Sequence, residues 1–493
     1  MTDSATPLLS VRSVRPLQAV VGVLLGLKVI FYCFAPPIGD EAYYWLWGQR
    51  PALSYLDHPP LHAWLLWGVS KLLGWNIYSL RALTWLSLAG TIWVFRAWST
   101  RIAPDNARAW FWTALAIYLA SPLMWVMGSI SFHDHLLIVL CLLSGHFFLD
   151  FAEGFEAGAP RFGRLYLSAL FLGLAALAKY NAALLGLGYF AFILLNRDFR
   201  PLLRHWQTYA AGAISVALQA PVIYWNLADG LASYKFHLVE RWDGAASGDL
   251  VNLLITAVID ALVLSIFLVV PLLRLYRGGD AGFERRARIL AAIMLAISTV
   301  TVMALASIEN NVPTYWTIMG YPLALPLLAK KFRSRLGFWL HATSGTLLIA
   351  LFVVNLLLVP VRNLVGWSDT TSYSNYDWDR IAAIVAAAHV RQPTAFLAAT
   401  RYTSAAQLAF ALRDPDVTDI SERHTEFNYW FDPAAHRGED ALIVAAPFIP
   451  IDFARTQFRS VALLQNIEIT RFGLPVGSYQ LYLAKDYCAG TCR

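Results

Sequence analysis

Charge is scarce in this chain: only 14% of its 493 residues are Asp, Glu, Lys or Arg, while 58% are hydrophobic. The mean hydropathy is +0.52. A soluble protein of this length needs a more polar surface, so a soluble enzyme is excluded. The scarcity of charge predicts a polytopic α-helical membrane protein. A net charge of +6 is modest for that size and gives no reason to expect a nucleic-acid partner.

Cysteine is also scarce, with four residues in the chain. Cys33 and Cys141 lie in apolar stretches, whereas Cys488 and Cys492 form a C-x3-C pair near the end of the sequence. Neither pair has the spacing of zinc ligands, so we predict no structural metal. If the C-terminal region lies in an oxidising compartment, we expect a disulfide between Cys488 and Cys492.

A secretory cleavage site is absent after the first apolar stretch, so we expect that stretch to remain as a span. A span needs about 20 apolar residues, and hydropathy therefore predicts about eleven spans. They fall near residues 17–35, 78–95, 109–127, 136–149, 165–178, 181–196, 207–225, 250–273, 289–308, 315–329 and 337–361.

The distribution of Lys and Arg predicts the orientation of these spans. Alternate loops carry about nineteen basic residues and the intervening loops about six, so the first set is predicted to be cytoplasmic. This alternation requires a break at Lys179, where hydropathy alone would indicate one long span. The spans on either side of the break are too short to cross the hydrocarbon core, so Lys179 should lie below the outer membrane surface. The short span at 136–149 places Asp134 below that surface for the same reason. We therefore predict Asp134 and Lys179 to lie in one site.

The same topology predicts that the ionisable residues of the outer loops share one face of the membrane, the periplasmic face of a bacterial inner membrane. The first outer loop, about 36–77, carries the acidic pair Asp40 and Glu41 and an amphipathic segment, Leu61–Leu73, that fits an interfacial helix. The residues gathered on this face are Asp40, Glu41, Asp57, His58, His133, Asp134, His135, Lys179, Arg241, Glu309 and Asn310.

The character of the chain changes near residue 362, where hydropathy falls and short apolar runs alternate with helical patterns. We predict a transmembrane domain over 1–361 and a periplasmic α/β domain over 362–493. The predicted strands are 394–399, 441–446 and 478–483, and the predicted helices are 379–390 and 404–412.

Five motifs follow one another along the chain: Gly39–Tyr44, Tyr55–Pro60, Asp134 at a span entrance, Ala178–Tyr180, and Glu309–Pro313. This ordered set resembles that of bacterial membrane glycosyltransferases of the GT-C class, relatives of protein O-mannosyltransferases and of lipid A aminoarabinose transferases. The resemblance implies about 11 to 13 transmembrane helices and transfer of a sugar from a polyprenyl-phosphate carrier. Many relatives have a His-Trp pair before the proline of this last motif, whereas this chain has Asn310, Asn311 and Val312 before Pro313.

The chemistry of that transfer suggests a role for each residue type. An acceptor hydroxyl must lose a proton, so Asp40 is the predicted general base, with Glu41 and Asp134 as further catalytic residues. The departing lipid phosphate needs a fixed cation, for which Lys179 comes before Arg81 and Arg241. One displacement would invert the anomeric centre. No covalent sugar intermediate is required, no cofactor is assigned, and a divalent cation is left open. The other predicted substrate-binding residues are His58, Tyr43, His133, Glu309 and Asn310.

Each of these residues has an alternative role. Asp40 could be only a helix N-cap, Lys179 could snorkel to headgroups, and Tyr43 could pack against other side chains instead of contacting a sugar. Among acceptors, lipopolysaccharide core, lipid A or another glycolipid is favoured, because the pattern resembles envelope-modifying transferases, including the galacturonosyltransferases of rhizobia; a protein acceptor is second. A transporter or flippase of lipid-linked sugars is the competing class, but the sequence shows no internal repeat of the kind typical of transporters.

Overall fold

The protein is described here by a computed structural model covering residues 13–238, 250–307, 312–367 and 369–492. The chain forms two compact units. The first consists of the described residues of Met1–Val29, His58–Leu61 and Ala82–Ala350, and the second of Ile30–Asp57, His62–Arg81 and Leu351–Arg493. The sequence predicted a single boundary at residue 361. The second unit contains, in addition, most of the predicted first outer loop.

The α-helices occupy most of the chain before residue 358. They are α1 (Arg15–Phe34), α2 (Gly39–Gln49), α3 (Leu61–Leu73), α4 (Ile77–Ile102), α5 (Ala107–Ala120), α6 (Pro122–Met127), α7 (His133–Glu156), α8 (Phe162–Ala178), α9 (Ala183–Leu195), α10 (Trp206–Ala217), α11 (Ala220–Ala228), α12 (Ala232–Leu238), α13 (Leu250–Leu264), α14 (Val269–Leu273), α15 (Gly282–Ala306) and α16 (Arg335–Leu357). Short 3-10 helices lie at Pro104–Asn106, Tyr180–Ala182, Arg197–Arg204, Ile266–Leu268, Arg274–Tyr276, Thr314–Gly320 and Leu325–Lys330.

The protein is a multi-pass α-helical membrane protein. Within the described ranges, α1, α7, α15 and α16 are each long and apolar enough to cross a membrane. Three further helix pairs pass the same test together but bend by 48° to 111° at a short break, which gives up to seven spans by length and composition. The count of about eleven stays a prediction, because several predicted spans are divided into shorter helices.

Proline explains two of these divisions. The predicted span 207–225 bends between α10 and α11, where Pro221 has no N–H to donate and its ring clashes with the carbonyl four residues earlier. The predicted span 315–329 is not one α-helix but two 3-10 helices, Thr314–Gly320 and Leu325–Lys330, separated by a segment that contains Pro322. The predicted break at Lys179 is confirmed, since α8 ends at Ala178 and Lys179 is extended.

Helix α7 differs from its prediction in length. It begins at His133 and continues to Glu156, well beyond the expected 136–149. The continuation is possible because Arg101 pairs with Asp150 and Glu153, and Arg286 donates to Glu153 Oε1 at 2.8 Å. Shortness of this span is therefore not the reason why Asp134 is buried.

The second unit is built on a five-stranded mixed sheet. Its order is β2-β1-β3-β5-β4, with β1 parallel to both β2 and β3, and β5 antiparallel to β3 and β4. The strands are β1 (Phe396–Ala399), β2 (Thr418–Asp419), β3 (Ala441–Ala445), β4 (Phe458–Arg471) and β5 (Leu474–Tyr487), and the helices are α17 (Val361–Leu364), α18 (Thr370–Tyr373), α19 (Trp378–Arg391), α20 (Tyr402–Leu412), α21 (Phe427–Trp430) and α22 (Asp452–Gln457).

Both faces of the central strand β3 are covered. Leu442 and Val444 pack into one apolar cluster and Ala441 and Ile443 into another, because successive side chains of a strand point to opposite faces. The predicted strands near 394–399, 441–446 and 478–483 and the helices near 379–390 and 404–412 are confirmed. The sequence missed β4, whose side chains are mostly exposed, so it lacks the apolar alternation that marks a half-buried strand.

Helix α2 explains why the first outer loop belongs to the second unit. Its Tyr43, Leu46 and Trp47 are buried in the same cluster as residues of α19, α20 and the sheet. A methyl group on Gly39 would stand 2.7 Å from Cβ of Thr403, so this close contact with α20 requires glycine. The aromatic run after the acidic pair is therefore core packing.

Two smaller predictions are also confirmed. The amphipathic segment 61–73 forms α3, which buries His62, Ala63 and Leu66 and leaves Trp67 and Leu72 exposed. Cys488 and Cys492 form a disulfide. The exposed apolar side chains of α3 fit an interfacial helix.

Candidate active site

Asp40 lies in the first turn of α2, on the N-terminal side of the packed aromatic residues. Its Oδ1 accepts a hydrogen bond from the hydroxyl of Tyr402, at the start of α20, at 3.0 Å. Within the described part of the chain, Oδ2 of Asp40 accepts no hydrogen bond from a protein group. The carboxylate is partly buried, and it is thus held by one oxygen and open at the other.

Aromatic rings and hydroxyls fix the position of Tyr402. Its ring packs edge-on against Tyr43 with centroids 4.9 Å apart. The hydroxyl of Tyr43 donates to Oδ2 of Asp57 at 3.2 Å and accepts from the backbone N–H of Glu426 at 2.8 Å. Tyr43 is almost completely buried. It therefore supports Tyr402 from behind, and a direct contact of Tyr43 with substrate does not fit its burial.

Electrostatics adjust the acidity of Asp40 in two directions. Burial raises the pKa of Asp40, whereas the hydrogen bond from Tyr402 and the positive charges of Arg423 and Arg401 lower it, and the net effect is a raised pKa. The guanidinium of Arg423 lies over the ring of Tyr402, 4.7 Å from its centroid. A carboxylate with a raised pKa is a stronger base than a solvated one.

Glu41 has a different role from its neighbour. Its carboxylate forms a two-pronged ion pair with Arg81, with Nε to Oε1 at 2.8 Å and a second nitrogen to Oε2 at 2.5 Å. Oε2 also accepts the backbone N–H of Ile38, which is the N-cap residue of α2. The side chain that makes the capping hydrogen bond is therefore that of Glu41, and not that of Asp40. The alternative that Asp40 is merely an N-cap is wrong, because the cap residue is Ile38.

Arg81 is enclosed by acceptors from its own unit. In addition to Glu41, it donates to the backbone carbonyls of Phe31, Ala35 and Pro36 at 2.8 to 3.2 Å, and the side chains of both ion-pair partners are fully buried. Every guanidinium nitrogen has an acceptor. The expected roles of Glu41 in catalysis and of Arg81 at the donor phosphate therefore do not fit this placement. The pair instead ties the end of α1 to the start of α2.

We expect Glu41→Gln to act mainly on stability. The amide keeps the shape but leaves Arg81 as an uncompensated buried charge, which costs about 3–5 kcal/mol of the free energy of unfolding. The measurement is thermal unfolding in detergent together with turnover per folded molecule. A loss of turnover as large as that of an Asp40 variant, with unchanged stability, would contradict the positioning role.

Asp134 and Lys179 form the second group of predicted site residues, in the first unit. The ammonium of Lys179 donates to both carboxylate oxygens of Asp134 at 2.7 and 2.9 Å, and both side chains are buried. It also lies 4.9 Å from the ring centroid of Tyr315. The two residues predicted to share a site are therefore in direct contact, and their role in a site stays a prediction. Lys179 therefore does not extend to the lipid headgroups, which was the alternative role.

His133 and His135 flank Asp134 in the sequence, and other histidine rings pack near them. The rings of His58 and His133 are 4.2 Å apart between centroids, and His237 lies 6.3 Å from His58. His135 shares a hydrogen bond with Ser87 at 2.8 Å. Within the described ranges, no three His, Cys, Asp or Glu side chains are placed to hold a metal ion. His58 and His133 thus form a closely packed pair of rings, tilted by 43°, beside the start of α7.

Three predicted site residues, Arg241, Glu309 and Asn310, lie outside the described residues. Two residues that the sequence analysis missed are Tyr402 and Arg423. They follow β1 and β2, and the carboxyl ends of adjacent parallel strands are where α/β sheets bind ligands. That rule could have identified Tyr402 from the predicted strand 394–399, but not Arg423, because the two-residue strand β2 was not predicted.

Comparison with known proteins agrees with this architecture. The family described as dolichyl-phosphate-mannose-protein mannosyltransferase matches residues 57–225. A lipid A galacturonosyltransferase, RgtD, of Rhizobium johnstonii is 27% identical over 193 residues, which is 38% of each chain. This chain therefore spans well under half of the curated relative that it matches.

Solved structures give a match along nearly the whole chain. ArnT from Cupriavidus metallidurans bound to undecaprenyl phosphate has a TM-score of 0.62 at 15% identity, over 95% of this chain and 98% of the other. The apo state of the same protein has a TM-score of 0.61 over the same shares. At this level of identity the likeness establishes the fold alone, which is that of ArnT.

Proposed function

We propose, from the likeness of this chain to the protein mannosyltransferase family, to RgtD and to ArnT, that it is a GT-C membrane glycosyltransferase that transfers a sugar from a polyprenyl-phosphate carrier to an envelope glycolipid with inversion. The observation that carries the proposal is the environment of Asp40. One carboxylate oxygen is fixed by Tyr402 and the other is open to an acceptor hydroxyl. A carboxylate with a raised pKa and a defined direction is what a general base requires.

The proposed reaction is a single displacement. The acceptor oxygen attacks the anomeric carbon, its proton passes to Oδ2 of Asp40, and the bond between the anomeric carbon and the phosphate oxygen breaks. The lipid phosphate leaves with that electron pair. Because attack and departure occur on opposite faces of the anomeric carbon, the configuration inverts. General-base assistance of this kind contributes about 10²- to 10⁴-fold.

The leaving phosphate gains negative charge, and we propose Lys179 as the cation that receives it. Its buried partner Asp134 holds the ammonium in one direction and prevents it from reaching solvent. An incoming phosphate would share this ammonium with Asp134, since an ammonium has three donors. His58 and His133 are proposed substrate contacts near that entrance. Glu41 and Arg81 are proposed as positioning residues for α2.

The acceptor that we favour is lipid A, lipopolysaccharide core or a related glycolipid. This is supported by the named activity of the Rhizobium johnstonii relative, and a polyprenyl donor is supported by the undecaprenyl phosphate bound to ArnT. We place the enzyme in the bacterial inner membrane with the sheet unit facing the periplasm. The disulfide between Cys488 and Cys492 supports an oxidising compartment on that side.

Tyr402 gives this proposal a pH test. Its hydrogen bond lowers the pKa of Asp40, so Tyr402→Phe should raise that pKa. The base works when deprotonated; hence the acid limb of the pH profile should move to higher pH, and activity is lost earlier on acidification. The lost orientation should lower turnover about tenfold, as expected for one hydrogen bond to a charged group. Profiles of kcat/KM with matching acid limbs in wild type and Tyr402→Phe would contradict Asp40 as the base.

The function itself is tested by mass spectrometry of envelope glycolipids and periplasmic glycoproteins. Cells that lack this protein are compared with cells that carry it at native level. A sugar-sized mass that disappears from a glycolipid supports the proposal and gives the sugar and the acceptor. A mass lost only from glycoproteins would replace the glycolipid by a protein acceptor, and unchanged masses in both classes would favour the transporter alternative.

A further inference from the structure

A cleft opens at the carboxyl ends of the three parallel strands of the sheet unit. Its volume is about 530 Å³. Its lining residues follow the three strands in turn: Arg401 and Tyr402 come after β1, Glu422 and Arg423 after β2, and Asp452 after β3. The crevice beyond the carboxyl ends of parallel strands is the position where open α/β sheets bind ligands. Its size is sufficient for a sugar or a disaccharide.

Two arginines give this cleft its chemistry. Among the described residues, neither Arg401 nor Arg423 has a carboxylate within 4.0 Å, whereas Arg50 and Arg471 of the same unit are ion-paired. The guanidinium of Arg401 lies 5.9 Å from the ring centroid of Phe448, and that of Arg423 is 4.7 Å from the ring centroid of Tyr402. Each is thus supported by a ring and retains donors for an anion.

The acidic groups around the cleft do not cancel these charges. Glu422 and Asp452, which line it, are exposed to solvent. Asp40, Asp57 and Asp419 attract Arg423 only from beyond ion-pair distance. The first turn of α20, which begins at Tyr402, adds the positive end of its helix dipole. The cleft is therefore suited to one anionic group on a larger polar molecule.

Tyr402 connects this cleft with the proposed base. Its ring forms part of the cleft wall while its hydroxyl donates to Oδ1 of Asp40. We propose that Arg401 and Arg423 bind a phosphate or carboxylate of the acceptor glycan and so present a neighbouring hydroxyl to Asp40. The assignment to the acceptor depends on the proposed function. Binding of the anion by the two arginines does not depend on it.

The test is calorimetric titration of the full-length protein in detergent with glucosamine 1-phosphate, glucosamine and galacturonic acid. We expect the wild type to bind one of the two anionic sugars, and glucosamine at least about tenfold more weakly, since a charge-assisted pair is the main contact. Arg401→Gln and Arg423→Gln should each weaken binding of the anion by about tenfold. The phosphate and carboxylate arms identify which anion the cleft prefers.

Matched variants separate this effect from a general loss of charge or fold. Arg437 is exposed and does not line the cleft, so Arg437→Gln should bind the anion as the wild type does. Arg423→Lys keeps the charge without the planar fork and should bind with intermediate affinity. Equal affinity in the wild type, Arg401→Gln and Arg423→Gln, each with an unchanged unfolding temperature, would overturn the proposal.

A second titration with undecaprenyl phosphate distinguishes the two sources of phosphate. If Arg423→Gln weakens undecaprenyl phosphate and not the anionic sugars, the cleft serves the donor and the acceptor assignment is overturned. Asp40→Asn should leave anion binding intact or slightly stronger, because a nearby negative charge is removed. A loss of turnover in Asp40→Asn with retained anion binding therefore separates the transferase proposal from the cleft proposal.

Discussion

Asp40→Asn is expected to lower kcat by about 10²- to 10⁴-fold, since an amide cannot accept the proton of the acceptor hydroxyl. The substitution keeps size and shape, and its oxygen can still accept from Tyr402. The positions of Tyr402 and α2 should therefore be preserved. The measurement is transfer of sugar by purified full-length enzyme in detergent, with KM for donor and acceptor determined separately.

The control for this prediction is Asp379→Asn. Asp379 is an exposed carboxylate in the first turn of α19, in the same unit, so its replacement should leave kcat within about twofold of wild type, as is usual for exposed surface changes. Near-normal kcat in folded Asp40→Asn would exclude Asp40 as the base. A large rise in the acceptor KM with unchanged kcat would assign it to binding instead.

Lys179→Met is expected to have the second large effect, and it acts on two quantities. Removal of the ammonium leaves Asp134 buried without its partner, which costs about 3–5 kcal/mol of the free energy of unfolding. If Lys179 also receives the donor phosphate, binding of undecaprenyl phosphate should weaken at least about tenfold, the value of one charge-assisted contact. Thermal unfolding and a binding titration in detergent measure the two effects.

A double variant separates structure from binding at this ion pair. Asp134→Asn combined with Lys179→Met removes both charges, so stability should largely recover relative to Lys179→Met alone. Donor binding should remain weak in the double variant, because the cation is still missing. Recovery of both stability and donor binding would make the pair purely structural and would exclude Lys179 from the donor site.

The candidate site was predictable to the extent that it lies in short motifs. Asp40 was found from an acidic pair after a span, and Asp134 and Lys179 were paired because the alternation of basic loops required a break at Lys179. Tyr402, by contrast, is 362 residues from the carboxylate to which it donates. Hydropathy and loop charge carry no information about such a pairing, which depends on the packing of α2 against α20.

The two members of the acidic pair show the limit of motif reasoning most clearly. Asp40 and Glu41 are neighbours of the same charge, and the sequence predicted a catalytic role for both. On a helix they point in directions about 100° apart, so one faces Tyr402 and the other Arg81. Burial and ion pairing, which follow from packing, then give one residue an open oxygen and the other a closed ion pair.

The sequence by itself determined the class of molecule: few charges and long apolar runs require a membrane, and the strand and helix patterns after residue 362 require a sheet domain. Those properties are local, because each depends on the composition of a short window. Only the tertiary structure decided that α2 packs in the core of the sheet unit, that Glu41 is neutralised by Arg81, and that Arg401 and Arg423 share a cleft. These features join residues that are far apart in the chain, and what selects them is the burial of apolar surface and the pairing of buried charge.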